Sequence, residues 1–238
     1  DDAAAGRARR EGEALRTALL TSLGHDLRTP LTAIRGAAET LRTSGDRLTG
    51  ATRSDLLLTV EEEAERLSRW MGAILDLVRL EAGEVKPRRE AVDLAGALDE
   101  ARDAALRAHA GRRVAVETAP DLPRPPLDPA LLGRILENLL DNALKYSAPD
   151  GAVRLSARRE GARVLLAVED DGPGIPGADL LRVFDPFFRA GRTDSVAAGS
   201  GLGLAICKGL VEAMGGRIAA ESPVRDGRGT RMTLGFPT

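Results

Sequence analysis

The chain has 238 residues, a formal charge of −2 and an ordinary apolar share of 43%, enough for one large or two modest domains with a real core. A charge so near zero excludes bulk nucleic-acid binding, which needs a clear positive excess. The lone Cys207 excludes an internal disulfide and points to a reducing compartment. With two histidines and one cysteine, a zinc site would lack its usual ligands, and no apolar run nears the roughly 20 residues that span a bilayer. One Trp and one Tyr leave the core mostly to Leu, Val, Ile and Ala. No secretory signal is visible, and the opening "DDAAAGRARREGE" is expected of a soluble piece of a longer protein.

In residues 7–42, Leu20, Leu23, Leu27, Pro30, Ile34, Ala37 and Leu41 recur at alternating spacings of 3 and 4. That periodicity predicts a long helix packing along a stripe. With Leu20 and Leu27 at position a and Leu23 at d, His25 falls at f, facing away from the stripe. A buried core histidine, the ordinary reading of a lone His on a helix, is contradicted by that register. Pro30 lacks the N–H that would bond the carbonyl of Asp26, so a kink or loosening is expected just after the histidine. The polar stretch "TSGDRLTGATRSD" follows. A second seam then runs through Leu57, Val60, Ala64, Leu67, Met71, Ile74 and Val78. Two such helices form an antiparallel hairpin, and two hairpins complete a four-helix bundle. A hairpin packed on its own downstream domain is the alternative.

"EAGEVKPRRE" breaks the period and reads as a linker. Beyond it the pattern predicts a helix over 93–109, a strand in "RRVAVETA", a proline-rich turn and a strong helix over 130–146. Paired strands "AVRLSARR" and "ARVLLAVED" follow around Glu160 and Gly161, then a glycine-rich segment, a helix in "GLGLAICKGLVEAMGG", and closing strands "GRIAAES" and "GTRMTLGF". Cys207 fits as a small core residue.

Three features of this half suggest chemistry. On the helix 130–146, Leu132, Leu136, Leu139 and Ala143 share one face, while Asn138, Asn142 and Lys145 line another. Amide oxygens in a row can meet a hard cation and the lysine a phosphate, although a solvated polar face looks the same. "VEDDGPGIP" ends a strand in acids and lets Gly172 and Gly174 turn close to a ligand; an ordinary acidic turn is equally consistent. In "GSGLGLAI", Gly199, Gly201 and Gly203 lead into a helix whose free N–H groups can cradle phosphate. The dinucleotide fingerprint fails because Leu204 takes its sixth position, and "GDRLTGAT" has Ala51 where a P-loop needs lysine.

The order of these segments resembles the ATPase fold shared by sensor histidine kinases, gyrase, heat-shock chaperones and the MutL repair protein. "ENLLDNALKYS" is similar to its N box, "EDDGPG" to G1, "VFDPFFR" to the F box and "GSGLGL" to G2. The resemblance implies that Asn142, helped by Asn138, ligates Mg²⁺. It also implies that Lys145 and Tyr146 face the nucleotide phosphates, that Asp170 with Gly172 and Gly174 reads adenine, and that Gly199, Gly201, Leu202 and Gly203 close on ATP. Arg189 would reach the γ-phosphate, with "AGRTDSVAAG" as the ATP lid. Upstream, "HDLRTPL" resembles the H box that one branch of this superfamily carries, so the likeness to sensor histidine kinases covers residues 15–238. Around the H box it is most similar to the KdpD type.

That resemblance implies an α+β protein: a dimeric antiparallel helical hairpin (four-helix bundle) followed by an α/β sandwich ATP-binding domain of the GHKL (Bergerat) type. Residues 1–14 would be upstream linker, 15–82 the dimerisation and phosphotransfer domain, 83–92 a linker and 93–238 the catalytic domain. His25 would take the γ-phosphoryl group of ATP through Nε2 while Asp26 accepts the Nδ1 proton. It would then pass the group to an aspartate on a response regulator receiver domain. Asp26 to Thr29 is similar to the family's D-x-x-T phosphatase motif. The expected partners are a second copy through residues 15–82 and that regulator, with no nucleic acid and no membrane contact by this fragment. The setting would be a cytoplasmic module of a membrane-anchored sensor. A degenerate nucleotide-binding scaffold and an ATPase clamp are the rival readings. His109 is the competing acceptor; near a helix end and lacking an acidic neighbour, it reads instead as a surface residue.

Overall fold

The computed structural model describes residues 27–190 and 201–238, apart from residue 226. Within these the chain forms two compact units that divide inside one helix, between Ile74 and Leu75.

The first unit is a helical hairpin. Helix α1 is described over 27–44, with Pro30 and Ala37 buried on its seam and Leu27, Ile34 and Leu41 half-buried. Pro30 lies within the helix; the carbonyl it would leave unbonded, that of Asp26, is outside the described residues. Thr32, Thr40 and Thr43 donate their hydroxyls to the carbonyls of Arg28, Gly36 and Glu39, which lets threonine sit in a helix without competing for its ladder. A 3₁₀ turn, Gly45–Arg47, leads to α2, Gly50–Glu81. Thr49 starts α2 by accepting the N–H of Thr52 at 3.1 Å, the usual service of a hydroxyl at a helix N-terminus. No residue of α2 is buried. Leu57, Met71 and Val78, seven residues apart or multiples of seven, are all more than half exposed.

The second unit is an α/β sandwich. Its elements are β1 (Glu90–Ala91), α3 (Leu94–Ala108), β2 (Arg113–Thr118), β3 (Pro126–Leu127), α4 (Pro129–Tyr146), β4 (Ala152–Glu160), β5 (Arg163–Asp170), α5 (Gly203–Ala213), β6 (Arg217–Glu221) and β7 (Thr230–Pro237). The main sheet has five strands in the order β2-β4-β5-β7-β6. Only β2 and β4 run parallel. Alternation puts Val153, Leu155 and Ala157, Val164, Leu166 and Val168, and Met232, Leu234 and Phe236 on one buried face. Leu132, Ile135, Leu136, Leu139, Leu140 and Ala143 of α4, and Ile206, Cys207 and Leu210 of α5, complete this core. The predicted apolar face of α4 is therefore the buried one, and Cys207 is a core residue.

The other sheet face carries charge. Glu117, Arg154, Glu169, Arg231 and Glu221 form an unbroken row, one from each strand, linked at 2.9, 3.2, 2.8 and 3.1 Å. A short antiparallel pair, Glu90↔Leu127 and Ala91↔Pro126, joins β1 to β3. Both were expected as linker and turn. Two-residue strands are too short to show a period, and their pairing is fixed by partners far along the chain.

Candidate functional site

The site is built along the second half of α4. Asp128 caps the helix, accepting N–H groups from Ala130 and Leu131, and Pro129 takes the first position, where a missing N–H costs nothing. The N–H of Arg88 also donates to Asp128 at 2.8 Å. Asn138 and Asn142, one turn apart and half-buried, lie on the side of α4 next to the start of α5. The Nδ2 of Asn138 donates to the carbonyl of Arg134 at 3.1 Å, which turns its Oδ1 outward. A Cβ on Gly203, the first residue of α5, would stand 3.3 Å from that oxygen and 3.9 Å from the Asn142 amide. Glycine is thus what lets the start of α5 approach the two amides. Arg134, one turn back, is ion-paired to Asp76 of α2.

Asp170 closes the other side. Its Oδ1 accepts N–H groups from Gly172 at 2.9 Å and Thr230 at 3.2 Å. Burial pushes its carboxyl above the usual carboxylate range; the two N–H donors oppose the shift and neighbouring Asp171 and Glu169 add to it. A Cβ on Gly172 would fall 2.8 Å from the carbonyl of Tyr146, so this turn lies directly against the last residue of α4. Lys145 sits 5.7 Å above the Tyr146 ring, and Tyr146 is half exposed. The carbonyl of Gly201 accepts the N–H of Phe187 at 2.9 Å, linking the glycine segment to "VFDPFFR". Leu202 is buried at the start of α5, and Arg189 is exposed.

The structure therefore brings together Asn138, Asn142 and Gly203 along the second half of α4, and separately Asp170, Gly172 and Tyr146 at its last residue. Gly174 approaches Ser222 rather than these groups. His25, Asp26 and Gly199 lie outside the described residues; Thr29 is exposed on α1. Two site residues escaped the sequence reading, Thr230 and Ser222. Both arrive through the pairing of β5, β6 and β7, and only the short "GRGT" before β7 hints at the first. His109, expected to lack an acidic neighbour, has one in space: its Nε2 lies 3.1 Å from the Asp141 carboxylate.

Two family models match, in the order the structure lays down. Residues 15–83 match the His Kinase A (phospho-acceptor) domain, and 127–238 match the histidine kinase-, DNA gyrase B- and HSP90-like ATPase. A solved structure of the mycobacterial sensor histidine kinase MprB is 32% identical, with a TM-score of 0.54, over 61% of this chain and 96% of that one. The chain belongs to the sensor histidine kinases. Full-length ShkA, solved in complex with AMPPNP, is 31% identical with a TM-score of 0.68, over 92% of this chain and 45% of that one. The alginate biosynthesis sensor protein KinB of Pseudomonas aeruginosa is 37% identical over 94% of this chain and 37% of its own length. The sensor protein KdpD of Mycobacterium tuberculosis is 38% identical over 94% and 26%. The histidine-protein kinase/phosphatase MprB of Mycolicibacterium paratuberculosis is 36% identical over 93% and 42%. This kinase chain thus spans between about a quarter and a little over two fifths of the length of these three curated relatives. No described helix is long and apolar enough to cross a membrane.

Proposed function

We propose that this chain is the transmitter of a two-component sensor, moving the γ-phosphoryl group of ATP to His25 and on to an aspartate of a receiver domain. The observation that carries the reading is the meeting of Asn138, Asn142 and Gly203 along the second half of α4, with Asp170, Gly172 and Thr230 closing its C-terminal end. A purine whose amine donates to Asp170 would have its phosphates directed along the α4 amides toward the start of α5. There the free N–H groups of the helix and Lys145 offset their charge.

Mg²⁺ fits the donors present. This cation keeps most of its ligands as water and phosphate oxygens and needs one or two from protein. The Asn138 amide, with its nitrogen committed to Arg134, offers an oxygen, and Asn142 stands one turn further on. When bound, the ion would neutralise charge on the phosphates. The chain's own residues do the rest. Nε2 of His25 forms the bond to phosphorus as the bond to the β-phosphate oxygen breaks, and ADP leaves with that electron pair. Asp26 holds the Nδ1 proton so that Nε2 carries the lone pair. Most of the rate comes from positioning and charge neutralisation. The reverse traffic, hydrolysis of the regulator's phospho-aspartate, is assigned to Thr29, in keeping with the name of the relative MprB. Both nucleotide and regulator are cytoplasmic, so the module acts there, as a homodimer through residues 15–82.

Incubation with γ-labelled ATP tests the reading. Acid-labile, base-stable label is expected on the wild-type chain. His25→Gln should abolish it while nucleotide binding persists, because acceptor and pocket belong to different units. Label retained in that variant would overturn the assignment.

A further inference from the structure

The carboxylate of Asp170 is held by a hydrogen-bonded circuit that runs through a residue outside every motif named so far. The Oγ of Ser222, in the connection after β6, accepts the N–H of Ile175 at 2.8 Å and donates to the carbonyl of Gly229 at 2.9 Å. The N–H of Gly229 in turn donates to the carbonyl of Gly172 at 2.9 Å. The next residue, Thr230, supplies one of the two N–H groups on Asp170 Oδ1, and Gly172 supplies the other. One hydroxyl therefore ties the turn after β5 to the turn before β7, and both donors that fix the carboxylate sit on the backbone it ties. The turn is shaped for this. Gly174 has φ +80°, and a Cβ there would lie 2.7 Å from Ser222 Oγ, inside any tolerable contact.

A second attachment fastens the same connection from the charged face of the sheet. Arg225, three residues on, meets the Glu169 carboxylate at 2.9 Å, and Glu169 immediately precedes Asp170. The segment between β6 and β7 is thus pinned on both sides of the end of β5. Thr230 and Gly172 occupy Oδ1 and leave Oδ2 to accept from a ligand, in a direction set by how those two N–H groups are held.

We propose that Ser222 is a positioning residue for nucleobase selection: it aims the Asp170 carboxylate at an exocyclic amine and so sets the preference for adenine over a 6-oxopurine. The proposal rests on the assignment of Asp170 to the base. An amine donates to a carboxylate, whereas a 6-oxo group presents an acceptor to an acceptor, so a well-aimed carboxylate both favours one base and rejects the other. A carboxylate free to swing loses the first and softens the second.

Binding of ATP and of inosine triphosphate to the full 238-residue chain, wild type and variants, tests this. In Ser222→Ala, ATP affinity should fall about three- to tenfold, the worth of one aligned hydrogen bond, with inosine triphosphate affinity unchanged or improved. The ratio between the two should shrink by that factor. Ser222→Cys keeps a side chain of the same branching with a weaker donor and acceptor, and gives the same contrast should the alanine variant unfold. Asp170→Asn, which places a donor where the acceptor was, should abolish or reverse the preference. If Asp170→Asn leaves the wild-type ratio intact, the assignment of Asp170 fails and the proposal with it. If Asp170→Asn changes the ratio while the Ser222 variants weaken both nucleotides equally, or neither, Ser222 is merely structural and the proposal alone is overturned.

Discussion

Asp170 is a carboxylate on which burial and hydrogen bonding pull in opposite directions, and burial wins. The sign of the consequence follows. A carboxyl whose folded pKa is raised stabilises the fold when protonated; that contribution is full below the ordinary value of about 3.9 and is lost as pH rises through the raised one. Accepting a base amine has the opposite requirement, since only the ionised group is an acceptor on both oxygens. ATP affinity should therefore decline on acidification at a higher pH than an unperturbed aspartate would dictate. Titration calorimetry over a pH series checks this, with Asp170→Asn lacking the step; identical profiles would remove Asp170 from base recognition. Thr29 is exposed on α1 and lies four residues after His25, a spacing that would put both on one side of a continuous helix. Its hydroxyl can hold an attacking water without adding charge to the phosphoryl group. Thr29→Ala should keep near-normal labelling of His25 but lose about tenfold in dephosphorylation of a cognate regulator, the value of one positioned hydrogen bond. Asp26→Asn should impair labelling itself. Loss of both activities in Thr29→Ala would mean damage to the helix beside Pro30 instead.

Among the elements, α4 owes its start to Asp128. Burial alone would raise this carboxyl, but N–H donors from Arg88, Leu131 and Ala130 outweigh it and hold it below the usual range. With a lowered folded pKa, its stabilising effect is present above the ordinary value and lost as pH falls through the lowered one, opposite in sign to Asp170. Asp128→Ala should cost about 1–2 kcal/mol, read as a lower midpoint in urea unfolding at neutral pH. The gap to wild type should narrow in acid; an unchanged gap there would deny the carboxylate that role. The helices were legible because their apolar spacing is local and long, as Leu132, Leu136, Leu139 and Ala143 show. The same spacing singled out Asn138 and Asn142, and the glycines before α5 announced Gly203. Thr230 and Ser222 were not legible as site residues, since each stands at an end of a predicted strand with no motif to mark it. What recruits them is the register Glu221↔Arg231 and Asp170↔Thr230, a pairing that no window of sequence contains. The Asp141 partner of His109 is likewise 32 residues away.

For the whole molecule, compactness divides the chain inside α2, where the seam of Met71, Ile74 and Val78 runs on without interruption. Composition marks no boundary there. In the homodimer proposed above, the unburied apolar heptad face of α2 is the surface a second copy would cover. Met71, 61% exposed in the single chain, is the residue to charge: Met71→Glu should turn dimer into monomer on sedimentation at micromolar concentration with the second unit still folded. An undiminished dimer would move the interface elsewhere.

The charged row across the sheet has a further meaning at its two ends. Strands β2 and β6 are the outer strands, and an outer strand is a template on which another chain can add. The alternation of signs over five strands ends in Glu117 on one border and Glu221 on the other, each more than 60% exposed. A neighbouring sheet that continued the row would have to set glutamate against glutamate, and like charges directly opposite are destabilising. An odd number of alternating charges thus guards both borders with the same sign, and discourages the sheet from polymerising while its interior pairs remain fully matched.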